Sequence, residues 1–172
     1  MIIDLARILI FPALMAYAAA SDLLTMTIPN RVSIALIAGF VLLAGFSGMP
    51  LATFGMHLAA GLIVLLVAFG CFAMGWVGGG DAKIAAAASI WFGFDHVLIY
   101  LIYASLLGGG LTLLLLELRQ WPLPYPFSRQ EWALRIHAKD SGIPYGIALG
   151  LAGLIVYPDT TWIRAADISK LF

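Results

Sequence analysis

Charged residues are scarce in this sequence. Its 172 residues include nine Lys or Arg and nine Asp or Glu, which make up 10% of the chain, whereas an ordinary soluble domain carries about 25%. Hydrophobic residues make up 63%, and the mean hydropathy is +1.02. A single water-facing domain of this size could not bury so much apolar surface. The composition therefore disfavours a soluble protein and predicts an integral membrane protein.

Two further scarcities narrow the function. Because basic residues are not in excess, no nucleic-acid partner is expected. The only cysteine, Cys71, can form neither an intramolecular disulfide nor a CxxC metal site. The three histidines, His57, His96 and His137, lie on different segments without the spacing of metal ligands. We therefore expect no metal and no other cofactor.

Apolar segments of membrane-spanning length dominate the chain. A bilayer core of about 30 Å takes roughly 20 apolar residues per helix, and continuous apolar runs favour helices over the alternating strands of a barrel. The predicted spans are 2–21, two within the uncharged run 32–80 that is broken at 47–50, 82–94, 97–116 and 143–157. We expect an all-α integral membrane protein with about six transmembrane helices, in one domain over residues 1–172.

Basic residues are divided unequally between the two sides of this arrangement. The first, third and fifth loops hold six, and the opposite side with both termini holds three, namely Arg7, Arg164 and Lys170. The positive-inside rule then places the odd loops, including residues 117–142, in the cytoplasm and both termini outside. The start of the chain also imitates a signal peptide, although Asp4 and the lack of a soluble mature domain disfavour that interpretation.

Two aspartates stand at the ends of predicted spans on the same side of the membrane. Asp22 closes the first span and Asp81 opens the fourth. Asp22 could simply be an interfacial residue, and Asp81 an N-cap. Three glycines precede Asp81, however, which is more backbone freedom than a cap requires. If these spans pack together, the carboxylates could share a proton, so that one activates water while the other protonates the substrate.

Three short motifs occur in a set order along the chain. They are Asp-x5-Ile-Pro-Asn from Asp22, Gly-Gly-Gly-Asp-Ala-Lys at 78–83 and Ile-Pro-Tyr-Gly at 143–146. Together they resemble the type IV prepilin peptidases, the GxGD membrane aspartyl proteases, most strongly over 11–116 and 143–154. The resemblance implies that Asp22 and Asp81 are catalytic, at the cytoplasmic ends of helices 1 and 4. It also assigns supporting roles to Pro29, Asn30, Gly78, Gly80, Lys83, Pro144 and Gly146.

The same resemblance implies an activity and a location. Members of the family hydrolyse the leader peptides of type IV pilin-like precursors at the cytoplasmic face of the bacterial inner membrane, for pilus biogenesis or secretion. The expected partners are therefore precursor peptides and the lipid bilayer. The compact chain is similar to the CpaA/TadV-like peptidases of tight-adherence (Flp-type) pilus systems. Because Cys71 stands alone and the first loop is short, the N-methyltransferase activity of larger members is not expected.

Two other classes of protein compete with this interpretation. A presenilin-like intramembrane aspartyl protease shares the GxGD logic, but its first acid usually follows a tyrosine, and here Ser21 precedes Asp22. A non-enzymatic assembly or ion-transfer subunit could also carry paired acids. An ion relay, however, needs polar residues across the whole bilayer depth, and both aspartates are predicted on one side of the membrane.

We also predict the structural environment of three residues outside the motifs. Arg119 is expected to mark the end of the fifth span. Ile136 is expected to face lipid from a short amphipathic helix, and Trp162 to anchor the chain at the outer interface.

Overall fold

The computed structural model describes residues 2–166, and these residues form helices without a strand. The helices are α1 (Ile2–Thr25), α2 (Asn30–Phe46), α3 (Leu51–Ala73), α4 (Gly79–Leu118), α5 (Glu131–His137), α6 (Tyr145–Val156) and α7 (Thr161–Arg164), with a 3-10 turn at Tyr157–Asp159. Lys170, which contributes to the predicted charge asymmetry, lies outside the described residues. The all-helical fold predicted from the composition is confirmed.

Three of the helices, α1, α3 and α4, are long and apolar enough to cross a membrane, judged by length and composition. Helix α2 and the segment Tyr145–Asp159 are shorter apolar helices. The outward face of the bundle carries large apolar side chains, of which Leu66, Phe69, Leu106 and Leu113 are 61–70% exposed. An apolar surface of this extent suits lipid rather than water.

Helix α4 reverses direction in its middle. Its backbone leaves the helical conformation at Gly93, where φ is 58° and ψ is −171°. Phe92 and Tyr100 would lie about 12 Å apart along a straight helix, yet their rings stack with centroids 4.7 Å apart. Asp81 and Ser105 also line one cavity, although a straight helix would separate them by about 36 Å. Gly93 is therefore the tip of a helical hairpin.

We call residues 79–92 the first arm of α4 and residues 94–118 the second arm. These arms correspond to the separately predicted spans 82–94 and 97–116. The hairpin tip lies at one end of the bundle, and the start of α4 lies at the other. The end of the bundle that carries Asp81 is called the aspartate end below.

Side chains from other helices satisfy the carbonyl groups that the reversal leaves without helical partners. The Nδ1 of His57 donates a hydrogen bond to the Ile90 carbonyl at 2.7 Å, because a carbonyl can only accept. The Nε1 of Trp162 donates to the Trp91 carbonyl at 2.9 Å. A buried helix end requires such partners. The expectation that Trp162 anchors the chain at the membrane interface is wrong, because its indole is buried and caps the hairpin.

An aromatic core fixes the hairpin end of the bundle. The Nε1 of Trp91 donates to the Leu36 carbonyl at 3.0 Å. The rings of four other aromatic residues have centroids 5.4–6.1 Å from the Trp91 ring: Phe11, Phe40, Tyr157 and Trp162. Aromatic pairs at these separations are favourable. This cluster joins α1, α2, the first arm of α4 and the chain after α6.

Alanine at position 93 is expected to lower the free energy of unfolding by about 2–4 kcal/mol. The Gly93 conformation is one that residues with a side chain rarely adopt, and a Cβ there would lie 2.9 Å from the His57 ring. Thermal unfolding in detergent, followed by circular dichroism, measures the loss. The matched control is Gly109→Ala in the second arm, where an added Cβ has no atom within 4 Å. Equal stability of the two variants would contradict the strained hairpin tip.

Candidate functional site

Three separate parts of the chain meet at the aspartate end. Ile28, in the connection between α1 and α2, packs between the starts of α4 and α6. A Cβ built on Gly80 would lie 3.5 Å from the Cβ of Ile28, and one built on Gly146 would lie 2.8 Å from its Cδ1. The three motifs recognised in the sequence are therefore neighbours in space.

Asp22 lies in the last turn of α1 and is 6% exposed. Its Oδ2 accepts a hydrogen bond from the backbone N–H of Gly146 at 2.7 Å. That N–H belongs to the first turn of α6, where backbone donors lack helical partners and the helix dipole favours an anion. A Cβ on Gly146 would lie 2.8 Å from the Cβ of Asp22 and 2.9 Å from its Oδ2. This approach of α1 to α6 therefore requires glycine.

Asp81 lies in the first turn of α4, but it is not the N-cap. The N-cap is Gly78, so Asp81 is the third helical residue, and its carboxylate receives a hydrogen bond from the Gly78 backbone. An acidic side chain at this position that returns to the N-cap amide forms half of a capping box. A Cβ on Gly78 would lie 2.8 Å from the Asp81 Oδ2. Glycine at 78 is therefore needed for this carboxylate position.

Both aspartates line one cavity of about 800 Å³, together with residues that include Trp76, Ile143 and Tyr145. The two carboxylates also interact electrostatically. Among residues 2–166, no group of three or more His, Cys, Asp and Glu is placed to hold a metal ion. The cavity thus presents two carboxylates, from two different helices, to a space large enough for a peptide segment.

Lys83 joins two of the predicted supporting residues to the start of α4. Its Nζ donates to the Oδ1 of Asn30 at 2.9 Å, and Asn30 is the first residue of α2, with Pro29 as its N-cap. Pro144 is fully buried and is the N-cap of α6. These residues fix the helix starts around the cavity, whereas Asp22 and Asp81 face it.

Arg119 has a role that the sequence did not suggest. It is 9% exposed, and its guanidinium donates to the carbonyls of Ile136 and Gly142, both at 2.9 Å, and to the Ser141 hydroxyl at 2.8 Å. Gly142 lines the aspartate cavity. Arg119 therefore holds one wall of the cavity in place. The sequence carries no signal for this role, because the partners at Ile136 and Gly142 are backbone carbonyls, which every residue has.

Ile136 is buried instead of facing lipid as the amphipathic pattern suggested. It lines a small cavity with Leu115 and Leu118 of the second arm. Helix α5 is therefore packed onto the bundle through this residue.

Arg119→Ala is expected to lower the free energy of unfolding by about 1–3 kcal/mol, because it removes the guanidinium donor from the buried Ile136 carbonyl and from the part-buried Gly142 carbonyl. The segment 131–142 should also become a preferred site of limited proteolysis. Arg129→Ala is the matched control, since Arg129 is exposed and its guanidinium lies 4.8 Å from the centroid of the Tyr125 ring. Equal proteolysis of the two variants would contradict the role given to Arg119.

The fold and the paired carboxylates define a class of protein: a helical, membrane-type protein with two acidic side chains at one cavity. Comparison of sequences gives the family. The profile of the type IV leader peptidase family matches residues 9–113, so the chain belongs to this family and the resemblance noted in the sequence is confirmed. The matched residues include Asp22 and Asp81 and end before Gly146.

A prepilin leader peptidase/N-methyltransferase of Aeromonas hydrophila is 33% identical to the chain over 143 residues. The alignment covers 78% of this chain and 42% of that protein. The chain thus spans less than half the length of this curated relative. No solved structure matches the chain.

Proposed function

We propose that the protein is a prepilin leader peptidase, an aspartyl endopeptidase that removes the leader from type IV pilin-like precursors. One observation carries the proposal: Asp22 and Asp81, from two helices, line one cavity and interact electrostatically. Membership of the type IV leader peptidase family supports it independently. Methyl transfer is not included, because the connection 26–29 between α1 and α2 has no cysteine.

The paired carboxylates can carry out peptide hydrolysis without a covalent intermediate. When they share one proton, the ionised member removes a proton from a water molecule as its oxygen bonds to the scissile carbonyl carbon. The protonated member donates its proton to the carbonyl oxygen. Collapse of the tetrahedral intermediate breaks the C–N bond, and a proton passes to the leaving amine. The Gly146 N–H holds the Asp22 carboxylate in position for this exchange.

We further propose that the chain crosses a bacterial inner membrane six times, with the aspartate end at the cytoplasmic face. The six crossings would be α1, α2, α3, the two arms of α4 and the helix from Tyr145. Between residues 79 and 92 the first arm rises about 20 Å, which is less than a bilayer core of about 30 Å. This shortness favours a cavity that lies within the membrane and is open to cytoplasmic water.

Reporter fusions at Arg129 and at Phe172 are expected to give opposite compartment signals. The segment 117–142 carries Arg119, Arg129, Arg135 and Lys139, and such basic segments stay in the cytoplasm. An active phosphatase fusion reports the outside, and an active fluorescent-protein fusion reports the cytoplasm. The same signal from both positions would contradict the proposed topology, in which the aspartates face the cytoplasm.

Co-expression with a precursor tests the activity itself. The precursor has a short basic leader ending in Gly, followed by an apolar helix, and N-terminal sequencing of the product locates the cut. Cleavage after the Gly is expected, and a scissile bond moved one helical turn deeper into the apolar segment should remain intact. Equal cleavage of the shifted precursor would instead favour a presenilin-like protease that tolerates depth. If the original precursor is not cleaved, the proposed peptidase function is wrong.

A further inference from the structure

A second cavity, of about 400 Å³, continues from the aspartate cavity toward the hairpin end. The two cavities share four lining residues: Val77, Asp81, Ser105 and Tyr145. Because Asp81 belongs to both, anything bound at the carboxylates has direct access to this second cavity. We call the second cavity the α3–α4 groove.

The α3–α4 groove is apolar and has a floor of small residues. Helix α3 and the second arm form its walls, and Ala82 and Ala85 of the first arm are buried at its floor. Along α3 the wall runs from Cys71 to Ile63, a rise of about 12 Å, or two helical turns. Ile63 and Val67 are 51% and 64% exposed, so the groove is open laterally toward lipid.

Ser105 places a hydroxyl group at the junction of the two cavities. The other serine and the threonine of α4 donate to their own helix, Ser89 to the Ala85 carbonyl at 2.7 Å and Thr112 to the Gly108 carbonyl at 2.8 Å. Ser105 makes no hydrogen bond within the described part of the chain. Ser105 is exposed and lines both cavities, so its hydroxyl can bond to a substrate backbone beside Asp81.

We infer that the α3–α4 groove binds the first two turns of the apolar helix that follows the scissile bond, with the Ser105 hydroxyl bonded to the substrate backbone at its mouth. This inference rests on the proposed leader peptidase function. A precursor with its scissile bond at Asp81 must send its apolar residues away from the polar segment 117–142. The groove is the apolar path continuous with that carboxylate.

The cavity between α2, α3 and the first arm is less suited to this segment. Its lining is mostly apolar but includes Lys83 and Asn30, and neither aspartate belongs to it. A residue bonded to the scissile position would have to pass around α4 to enter it. Unlike that cavity, the α3–α4 groove joins the carboxylate of Asp81 directly to an apolar surface.

Disulfide trapping tests the position of the bound segment without requiring cleavage. Cys71 is the chain's only cysteine and lines the groove. Precursors with one cysteine at each of the first eight positions after the scissile bond are mixed with the Asp22→Asn variant and a mild oxidant. Trapping is expected at positions three or four apart, on one face of the substrate helix. The control moves the cysteine by one residue, as Cys71→Ser/Gly70→Cys, where the added side chain has open space around it.

Filling the groove gives a second, functional readout. Ala68→Phe narrows it from the half-buried wall of α3, whereas Gly70→Phe adds the same ring where no atom lies within 4 Å. We expect Ala68→Phe to raise KM at least about tenfold for a precursor with large residues after the scissile bond. Replacement of those residues by alanine should restore cleavage to within about threefold of the wild-type protein, as expected for a purely steric block. Gly70→Phe should remain close to wild type with both precursors.

The outcomes separate this inference from the proposed function. If wild-type protein cleaves the precursor but Cys71 and the displaced cysteine trap it equally, the groove assignment is wrong and the peptidase assignment stands. If Ala68→Phe left KM unchanged, the groove assignment would also be wrong, and lipid would be the occupant of the groove. If no precursor is cleaved although Cys71 traps it on one helical face, the groove assignment stands and the peptidase assignment fails.

Discussion

Asn in place of either Asp22 or Asp81 is expected to lower kcat for precursor cleavage by about 10³–10⁴-fold, and the double variant should be no less active than either single variant. An amide can neither take a proton from water nor hold the shared proton. Because the two carboxylates interact across one cavity, removal of one disables the other. Losses within such a unit are not additive.

A matched control for these variants lies on the same helix as Asp81. Asp95 is an exposed aspartate two residues after the hairpin tip, and Asp95→Asn should retain full kcat. Unfolding of each variant in detergent shows whether the fold survives. A single variant, at 22 or 81, that keeps substantial activity would refute the paired mechanism. Losses that multiply in the double variant would do the same.

Gly146→Ala is expected to lower kcat by at least about 10²-fold, comparable to the loss of one positioned catalytic contact. The added Cβ would lie 2.8 Å from the Cβ of Asp22 and 2.9 Å from its Oδ2. To relieve that overlap, α6 must move away from α1, and the hydrogen bond from the Gly146 N–H to Asp22 is lost. The carboxylate then has no fixed position relative to Asp81. Steady-state cleavage rates at saturating precursor measure the effect.

Two other glycines at the same end of the bundle serve as controls for Gly146→Ala. A Cβ on Gly142 would lie 3.7 Å from the Met26 side chain, and one on Gly80 would lie 3.5 Å from Ile28. Both distances are ordinary van der Waals contacts, so these alanine variants should keep most of their activity. If Gly146→Ala matched them in kcat, the contact between Asp22 and Gly146 would have no part in the chemistry.

The helical fold was predictable because it follows from the apolar composition of the chain as a whole and does not depend on any single residue. Continuous apolar runs exclude alternating strands, and Asp95 and His96 interrupt the long run after Asp81 where the structure has its hairpin. The separately predicted spans 82–94 and 97–116 imply a reversal, but the sequence could not place its tip at Gly93. That conformation depends on His57 and Trp162, which belong to distant segments.

The aspartates and glycines of the site were predictable from their motifs, but their individual roles were not. The resemblance treats Gly78 and Gly80 alike, whereas only Gly78 has a carboxylate where a Cβ would be. The sequence predicted that Arg119 marks the end of a span but not its bonding role, because its partners at Ile136 and Gly142 are backbone carbonyls. Every residue has a backbone carbonyl, so the sequence does not show which carbonyl accepts a hydrogen bond from a side chain.

The most direct test of the central claim is hydrolysis by the purified protein in lipid vesicles, in water enriched in oxygen-18. The precursor with the basic leader is added alone, and the products are weighed by mass spectrometry. Attack by water activated at Asp22 and Asp81 predicts a leader with one oxygen-18 at its new carboxyl end, an unlabelled apolar product, and neither product from Asp22→Asn. An intact precursor in the presence of folded wild-type protein, or labelled leader released equally by Asp22→Asn, would contradict the account.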